Sequence, residues 1–264
     1  RVKEYREQGK KVDENSIRNQ IIQRDSNDSS REFGALKRAD DAVFLDTSSM
    51  SFNEVVEKLK QIIEESTNIV FFGGAGVSTE SNIPDFRSEQ GLYNARQKYG
   101  LSPERIISHS FFIDDPETFY DYYKNNMIYR EARPNKAHMA LAFLEKKKKL
   151  KAVVTQNIDG LHQMAGSKNV FELHGSVLRN NCMDCGEFYD LEYIMDSENC
   201  KGRIPKCRKC GGTVKPDVVL YEEGLSEEVI NGAVMAISKA DTLIVGGTSL
   251  VVYPAAGLIN YFRG

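Results

Sequence analysis

The amino-acid sequence predicts an α/β fold organised around a parallel, doubly wound sheet. Three apolar runs, IVFF at residues 69–72, LKAVVT at 150–155 and ADTLIVGG at 240–247, are typical of buried strands. Stretches with helical periodicity separate them, and this alternation indicates a parallel sheet. A core-facing helix is predicted before the first strand from an apolar stripe of Val55, Val56, Leu59, Ile62 and Ile63. The glycine-rich turn GGAG at 73–76 leaves the first strand as nucleotide-binding turns do.

The composition is that of a globular protein without a strong charge bias. A chain of 264 residues with 41% hydrophobic residues is long enough to bury one large core or two unequal ones. A net charge of -3 gives no reason to expect a nucleic-acid or membrane partner. No apolar run approaches the roughly 20 residues that cross a bilayer, and the polar start is unlike a signal peptide. We expect a soluble, cytoplasmic protein.

Four of the five cysteines form two CxxC pairs, Cys182/Cys185 and Cys207/Cys210, with 21 residues between the pairs. This spacing is typical of four thiolates that close a tetrahedral site around one structural Zn²⁺ ion. Two disulfides or unrelated thiols are the alternatives, and an intracellular location disfavours the disulfides. The sequence therefore predicts a small zinc-ribbon module at about residues 177–215, with Cys200 left as an ordinary thiol.

Polar residues cluster where the predicted strands end, which is where ligands bind in parallel sheets. The motifs TQNIDG, ELHGS and GGTSL supply these side chains, which are Gln156, Asn157, Asp159, His174, Thr248 and Ser249. Asp159 also suits a helix cap, since it precedes a helical stretch. His109 and His138 stand alone in the sequence, and a lone histidine is more often structural than catalytic.

Residues from about 52 to 264 resemble the sirtuins, a family of NAD-dependent protein-lysine deacylases. The matching motifs occur in the family's order and are GAGVSTESNIPDFRS, TQNIDGLHQMAG, ELHGS, the two CxxC pairs, KPDVVLYEE and GGTSLVVYPAAGL. The resemblance implies a large Rossmann-type parallel sheet domain and a small domain that contains the zinc ribbon. It also implies that NAD and an acyl-lysine substrate meet in the cleft between them.

The resemblance assigns the NAD-binding residues by motif. It implies a phosphate-binding turn around Ala75 and Thr79, and a loop in which Asp85 helps to hold Phe86 and Arg87 near the nicotinamide. The full implied set is Gly74, Ala75, Gly76, Thr79, Asp85, Phe86, Arg87, Gln156, Asn157, Ile158, Asp159, Gly247, Thr248 and Ser249.

The resemblance also assigns catalytic and substrate-binding roles. His174 is the implied general base, which takes a proton from a ribose hydroxyl, while Asn157 and Asp159 orient the ribose and the nicotinamide amide. A pKa near 6.5 suits a histidine to that task at cellular pH. Val218, Val219 and Tyr221 lie in the implied edge that binds the peptide, where an extended substrate adds main-chain hydrogen bonds.

The implied function is NAD-dependent protein-lysine deacetylation, in which the acetyl group passes to ADP-ribose and nicotinamide is released. NAD is then a co-substrate, the zinc ion is structural, and the partners are acetylated lysine proteins or peptides. Two alternatives stay open. One is an inactive module that binds NAD or an acyl peptide, and the other is a protein ADP-ribosyltransferase.

Residues 1 to about 64 resemble the C-terminal part of bacterial cytidylate kinase, through IIQRDSNDSSRE and LKRADDAVFLDTSSMSFNEVVEKL. The sequence has no GxxxxGK[ST] phosphate loop, so kinase activity is not expected. We expect a kinase-like remnant at 1–50 and a sirtuin catalytic domain at 51–264. By the same resemblance, the last strand and helix of the family are expected to be missing after Gly264.

Overall fold

The computed structural model describes residues 13–15, 17–19, 22, 26, 46–84 and 97–264. The chain divides into two units, one of Arg1–Met50 with Ser249–Gly257 and one of Ser51–Thr248 with Leu258–Gly264. The second unit contains both of the larger sheets and is the subject of the description that follows. The division into a kinase-like remnant and a catalytic domain stays a prediction.

In the described residues, several helices separate β1 from β2, and most of the strands follow β2. The α-helices are α1 (Phe52–Glu65), α2 (Pro103–Ile106), α3 (His109–Asp114), α4 (Pro116–Asn126), α5 (Lys136–Lys146), α6 (Leu161–Met164), α7 (Leu191–Met195) and α8 (Glu227–Ser238). The strands are β1 (Ile69–Gly73), β2 (Leu150–Thr155), β3 (Val170–Glu172), β4 (Gly175–Cys182), β5 (Phe188–Asp190), β6 (Cys200–Lys201), β7 (Ile204–Pro205), β8 (Val214–Val218) and β9 (Thr242–Gly246). Short 3-10 helices cover Ala75–Val77, Thr79–Ser81, Ser197–Asn199 and Ala255–Tyr261.

The larger sheet is parallel and has the strand order β3-β2-β1-β9. Every residue of the central strand β1 is buried, which explains why its sequence is a continuous apolar run. At the carboxyl end of β1, Gly73 pairs with Thr155 of β2 and Gly246 of β9. The three strands therefore deliver their following loops to one edge of the sheet. The predicted parallel α/β sheet is confirmed.

One face of this sheet packs against α1 and α5. Phe71 and Val153 of the sheet share a core with Leu141 of α5 and Ile63 of α1. The prediction that α1 faces the core along its whole stripe is only partly right, because Leu59 is 49% exposed. The helix is fixed mainly at its C-terminal end, where the Lys149 ammonium donates to the backbone carbonyls of Glu64 and Ser66.

The second, smaller sheet is antiparallel, with the order β5-β4-β8, and a two-stranded hairpin of β6 and β7 accompanies it. Its core is built largely from the aromatic face of α4, where Phe119 packs edge-on against Tyr120 and stacks on Tyr123. The Tyr120 hydroxyl donates to the Val214 carbonyl at 2.5 Å and ties α4 to β8. Across the described ranges, no helix is long and apolar enough to cross a membrane.

Candidate active site

The glycine turn after β1 lies directly against the loop after β9. The Gly76 N–H donates to the Gly247 carbonyl at 2.8 Å. A methyl group added at Gly74 would lie 2.9 Å from the Thr248 Cβ, and one added at Gly76 would lie 2.8 Å from the Gly247 Cα. Glycine is therefore required at both positions for the two backbones to come this close. Ala75, between Gly74 and Gly76 in the sequence, is half-buried.

The exposed residue Thr79 follows this turn, and its hydroxyl donates to the Gly76 carbonyl at 3.0 Å. On the other side, the Gln156 side-chain amide donates to the Thr248 hydroxyl at 3.0 Å, while its backbone N–H donates to the Gly73 carbonyl. The structure thus brings together the predicted residues that follow β1, β2 and β9. These are Gly74, Ala75, Gly76, Thr79, Gln156, Gly247 and Thr248.

Asn157 and Asp159 converge on one buried hydroxyl, that of Ser78, which is only 1% exposed. The Asn157 amide donates to the Ser78 oxygen at 3.1 Å, and Ser78 donates to Asp159 Oδ2 at 2.6 Å. The other carboxylate oxygen, Asp159 Oδ1, accepts from the Leu161 N–H at 2.9 Å. Asp159 therefore caps the start of α6 and holds the glycine turn at the same time.

His174 lies just beyond β3, with its Nδ1 atom 2.9 Å from the Gln156 carbonyl oxygen. A carbonyl can only accept a hydrogen bond, so Nδ1 carries the proton and Nε2 keeps a free lone pair. Burial lowers the pKa of His174 below its ordinary value, and the Gln156 hydrogen bond offsets part of that shift. The imidazole is therefore neutral at cellular pH, with Nε2 ready to accept a proton.

The segment after β8 is joined to the His174 turn by its backbone. Gly175 pairs with Val218, and the Val219 N–H donates to the His174 carbonyl at 3.0 Å. Gly175 has a φ of +75°, and a methyl group there would lie 1.9 Å from the Asp217 carbonyl oxygen, so no larger residue fits. Val218 is buried, whereas Val219 is half-buried.

The backbone of Tyr221 is also occupied. Its N–H donates to the Ile107 carbonyl at 3.0 Å, and its carbonyl accepts from the His109 N–H at 2.9 Å. The predicted peptide edge of Val218, Val219 and Tyr221 is therefore held from both ends.

The four cysteines of the CxxC pairs come together, with one Sγ atom from each lying within 4.8 Å of the others. The Cys182 and Cys210 sulfurs are 3.4 Å apart, and the Cys185 and Cys207 sulfurs are 3.6 Å apart. Four thiolates about 2.3 Å from one Zn²⁺ ion are separated by roughly 3.8 Å in a tetrahedron. The cluster therefore fits one structural zinc ion, as the sequence predicted, and none of these cysteines forms a disulfide.

Cys200 lies apart from this cluster, where the Lys124 ammonium donates to its sulfur at 3.4 Å. Asp85, Phe86 and Arg87 lie outside the described residues. Ser249 belongs to the other unit of the chain. Ile158 is half-buried, and its carbonyl accepts from the Val177 N–H at 3.0 Å.

Sequence analysis missed Ser78 and Asn135 as residues of this site. The Asn135 amide donates to the Val77 carbonyl at 2.7 Å and to the Ser81 hydroxyl at 3.0 Å, while its oxygen caps α5. This residue therefore ties the start of α5 to the glycine turn. Asn135 could have been read as a helix cap, but nothing in the sequence indicated what its other side would contact.

A protein-family model described as the Sir2 family matches residues 74–254, more than half of the chain. This chain belongs to the Sir2 family. Its first 65 residues match a second family model, that of cytidylate kinase. Both resemblances predicted from the sequence are therefore confirmed.

This Sir2-family chain is 64% identical over 209 residues to the NAD-dependent protein deacetylase of Clostridium acetobutylicum. The aligned residues make up 79% of this chain and 84% of that protein. It is 66% identical over 213 residues to the protein of the same name from Clostridium perfringens, and the aligned residues make up 80% of this chain and 86% of that protein. A solved structure named "Sir2-p53 peptide-NAD+" matches with a TM-score of 0.68 at 37% identity and covers 78% of this chain and 81% of that one. The Rossmann-type sheet and the zinc-ribbon module are thus the Sir2 arrangement.

Proposed function

We infer that this protein is an NAD-dependent protein-lysine deacetylase, which transfers the acetyl group of a lysine to ADP-ribose and releases nicotinamide. The observation that carries this inference is the protonation of the His174 ring, in which Nδ1 carries the proton and Nε2 does not. Its Nδ1 proton is held by the Gln156 carbonyl, which leaves Nε2 as a base at the same sheet edge as the glycine turn. The relatives named as NAD-dependent protein deacetylases support the same reaction.

NAD is the co-substrate, and it supplies the glycosidic bond whose cleavage releases nicotinamide. The glycine turn is assigned to its pyrophosphate by the family motif, and the close packing of Gly74 and Gly76 against Thr248 and Gly247 holds the turn in shape. We assign to this turn Ala75, Thr79 and Gly247 of the set predicted from the sequence, and Ser249 is assigned by resemblance alone. Asp85, Phe86 and Arg87 are assigned to the nicotinamide end by resemblance alone.

His174 acts as the general base through Nε2, which accepts a proton from a ribose hydroxyl. Asn157 and Asp159 act with it by orienting the ribose and the nicotinamide amide, and Ile158 and Gln156 complete the wall. The Ser78 hydroxyl accepts from Asn157 and donates to Asp159, which supports this assignment because both polar side chains are fixed before a ligand binds. The site is thereby preorganised for a reaction in which charge develops on the sugar.

The peptide partner is an acetylated lysine in an extended segment, which pairs with the backbone around Val218, Val219 and Tyr221. The net charge of -3 supports no nucleic-acid or membrane partner. The zinc ion is structural, because four thiolates leave no position for water. Thiolates that must stay reduced support a cytoplasmic location.

The deciding experiment measures nicotinamide release from NAD with and without an acetyl-lysine peptide. We expect release that requires the peptide and yields one deacetylated lysine for each nicotinamide. Release without any peptide, together with transfer of label from adenine-labelled NAD to protein, would instead identify an ADP-ribosyltransferase. Binding of NAD or peptide without release would identify an inactive binding module, and either result would overturn the inference.

A further inference from the structure

Strand β4 contains a bulge of three residues directly above the candidate active site. Ser176 pairs with Asp217 of β8, and the next paired residue of β4, Asn180, meets Pro216. Asp217 and Pro216 are adjacent in β8, so residues 177–179 of β4 have no partner in that strand. We call these residues the 177–179 bulge. Bulges of this kind redirect side chains and are frequent beside active sites.

The bulge lies against the loop that contains Asn157 and Asp159. The Val177 N–H donates to the Ile158 carbonyl at 3.0 Å. A methyl group added at Gly160 would lie 2.6 Å from the Leu178 Cδ1 atom, so the loop and the bulge are in close contact. The first two residues of the bulge thus fix its position on the catalytic loop.

Its third residue, Arg179, joins two other parts of the site. The guanidinium donates through Nη1 to Glu172 at 2.6 Å and through Nε to Asp217 at 2.8 Å. Glu172 is two residues before His174, and Asp217 is the residue before Val218. The Glu172 side chain is only 8% exposed and the Arg179 side chain is 43% exposed, so the first of these ion pairs is shielded from water on its carboxylate side.

We propose that Arg179 is a positioning residue for the deacetylation reaction, one that holds the peptide-binding segment in register with the base His174. The proposal rests on the proposed function, because it assigns a task within that reaction. Arg179 touches neither substrate, and it acts through Glu172 on one side and Asp217 on the other. A guanidinium suits this role, because its planar fork reaches two carboxylates at fixed angles, whereas an ammonium is a single point of charge.

The proposal predicts different changes in the Michaelis constants for the two substrates. The contacts between the glycine turn, Gln156 and Thr248 do not involve Arg179, so the Michaelis constant for NAD should stay within about twofold of the wild-type value. The peptide constant should rise, because the segment after β8 loses its side-chain tether to the His174 strand. Loss of a charged hydrogen bond typically weakens an interaction by roughly tenfold, and we expect a change of that size for the peptide.

The test compares Arg179→Met and Arg179→Lys with Arg203→Met as a matched control. Arg203 forms a single ion pair from an exposed position, with Asp121 at 2.9 Å, and it lies in the β6–β7 hairpin. The readouts are Michaelis constants for both substrates and the affinity for a fluorescent acetyl-lysine peptide. We expect Arg179→Met to raise the peptide values, Arg179→Lys to recover part of the loss, and Arg203→Met to change neither.

Arg179→Met leaves the buried Glu172 carboxylate unpaired, which lowers stability by itself. The double variant Arg179→Met/Glu172→Gln removes that unpaired charge, and in it the peptide constant must stay raised. Normal peptide affinity in both variants would overturn the proposal, as would an equal rise in the NAD constant. Peptide binding is measured without turnover, so failure of the wild type to release nicotinamide would refute the proposed function alone.

Discussion

On the parallel-sheet side of the site, the glycine turn and the loops after β2 and β9 are held by short backbone contacts and by one buried hydroxyl, that of Ser78. The antiparallel side has an aromatic core around α4 and a backbone ladder between β4 and β8. Its end at β5 and the CxxC turns is less well covered, since Phe188 at the start of β5 is 58% exposed. Side chains add links on this side, namely the four thiolates and the Arg179 ion pairs.

This difference predicts two kinds of failure. The parallel-sheet side has a buried apolar core, so it should tolerate loss of metal and respond mainly to changes at its polar contacts. On the antiparallel side, the CxxC turns lie at the less well covered end of the sheet, where Cys185 and Cys210 are exposed, and this end should depend on the metal for its structure. Chelation and point substitution can therefore separate the two sides, and the predictions below are arranged by the size of the effect.

The largest effect should follow the loss of a zinc ligand. Cys207→Ala leaves three thiolates, and Zn²⁺ contributes on the order of 10 kcal/mol to folding in small zinc modules. We expect less than about half an equivalent of zinc in the purified variant, an unfolded antiparallel sheet and no peptide-dependent turnover. Metal analysis and nicotinamide release measure both consequences.

Cys200→Ala is the matched control, because this cysteine lies outside the cluster and contacts Lys124. It should retain one equivalent of zinc and near-normal turnover. Two results would contradict the difference between the two sides. One is a Cys207→Ala variant that keeps its zinc and its activity, and the other is a variant that loses NAD binding as completely as peptide binding.

The next largest effect belongs to His174. In His174→Asn, the side-chain amide can still donate to the Gln156 carbonyl, so the turn is kept while the base is removed. Loss of a general base costs about 100- to 10,000-fold in rate, and NAD affinity should change little because the contacts of the glycine turn are intact. Single-turnover deacetylation and NAD titration measure the two quantities. Near-normal turnover in this variant would exclude His174 from the mechanism.

A smaller effect should follow Ser78→Ala, which removes the hydroxyl shared by Asn157 and Asp159. An unpaired polar group in a buried site costs about 1–3 kcal/mol, or roughly five- to 150-fold in turnover. The control is Ser81→Ala, since Ser81 is also buried in the same turn but accepts from Asn135 instead. The parallel-sheet side is preorganised as described only if Ser78→Ala lowers turnover at saturating NAD clearly more than Ser81→Ala does.

The sequence was sufficient for those parts of the fold and site that depend on local patterns. The parallel sheet followed from continuous apolar runs, and the zinc site followed from cysteine spacing, because a CxxC turn brings its two sulfurs together locally. Leu59 was misjudged, since periodicity identifies an apolar face but does not say how much of it the rest of the fold will cover.

The contacts that the sequence did not reveal are long-range and polar. Ser78 and Asp159 are 81 residues apart, and the register shift that lets Arg179 reach Glu172 and Asp217 has no sequence signal of its own. The Nδ1 proton of His174 likewise depends on a carbonyl 18 residues away. Motif reasoning named most of the candidate site residues, whereas the groups that orient them became visible only in three dimensions.

The effect that is smallest at neutral pH concerns acid stability and should appear on the parallel-sheet side. His162 is 1% exposed and packs against His138, with their ring centroids 4.7 Å apart. Burial, with a further contribution from His138, lowers the pKa of His162 to about 4 from an ordinary value of 6.5. Between these two pH values the unfolded chain binds more protons than the folded protein at this residue. The free energy of unfolding therefore falls as the pH drops through that range, by up to about 3 kcal/mol.

His162→Phe keeps an aromatic ring beside Phe71 and His138 and removes the titrating group. Denaturant unfolding at several pH values from 6.5 to 4 should give a shallower loss of stability in this variant than in the wild type. His109→Phe is the control, because it also removes one histidine but from a half-exposed position beside Glu223. Each variant removes one histidine, so an effect of His162 is a slope that is shallower in His162→Phe than in both the wild type and His109→Phe. Equal slopes in both would mean that the buried histidine pair does not limit the acid stability of the parallel-sheet side. A shallower slope in His162→Phe alone would mean that protonation of His162 destabilises this side in acid, as chelation destabilises the zinc module.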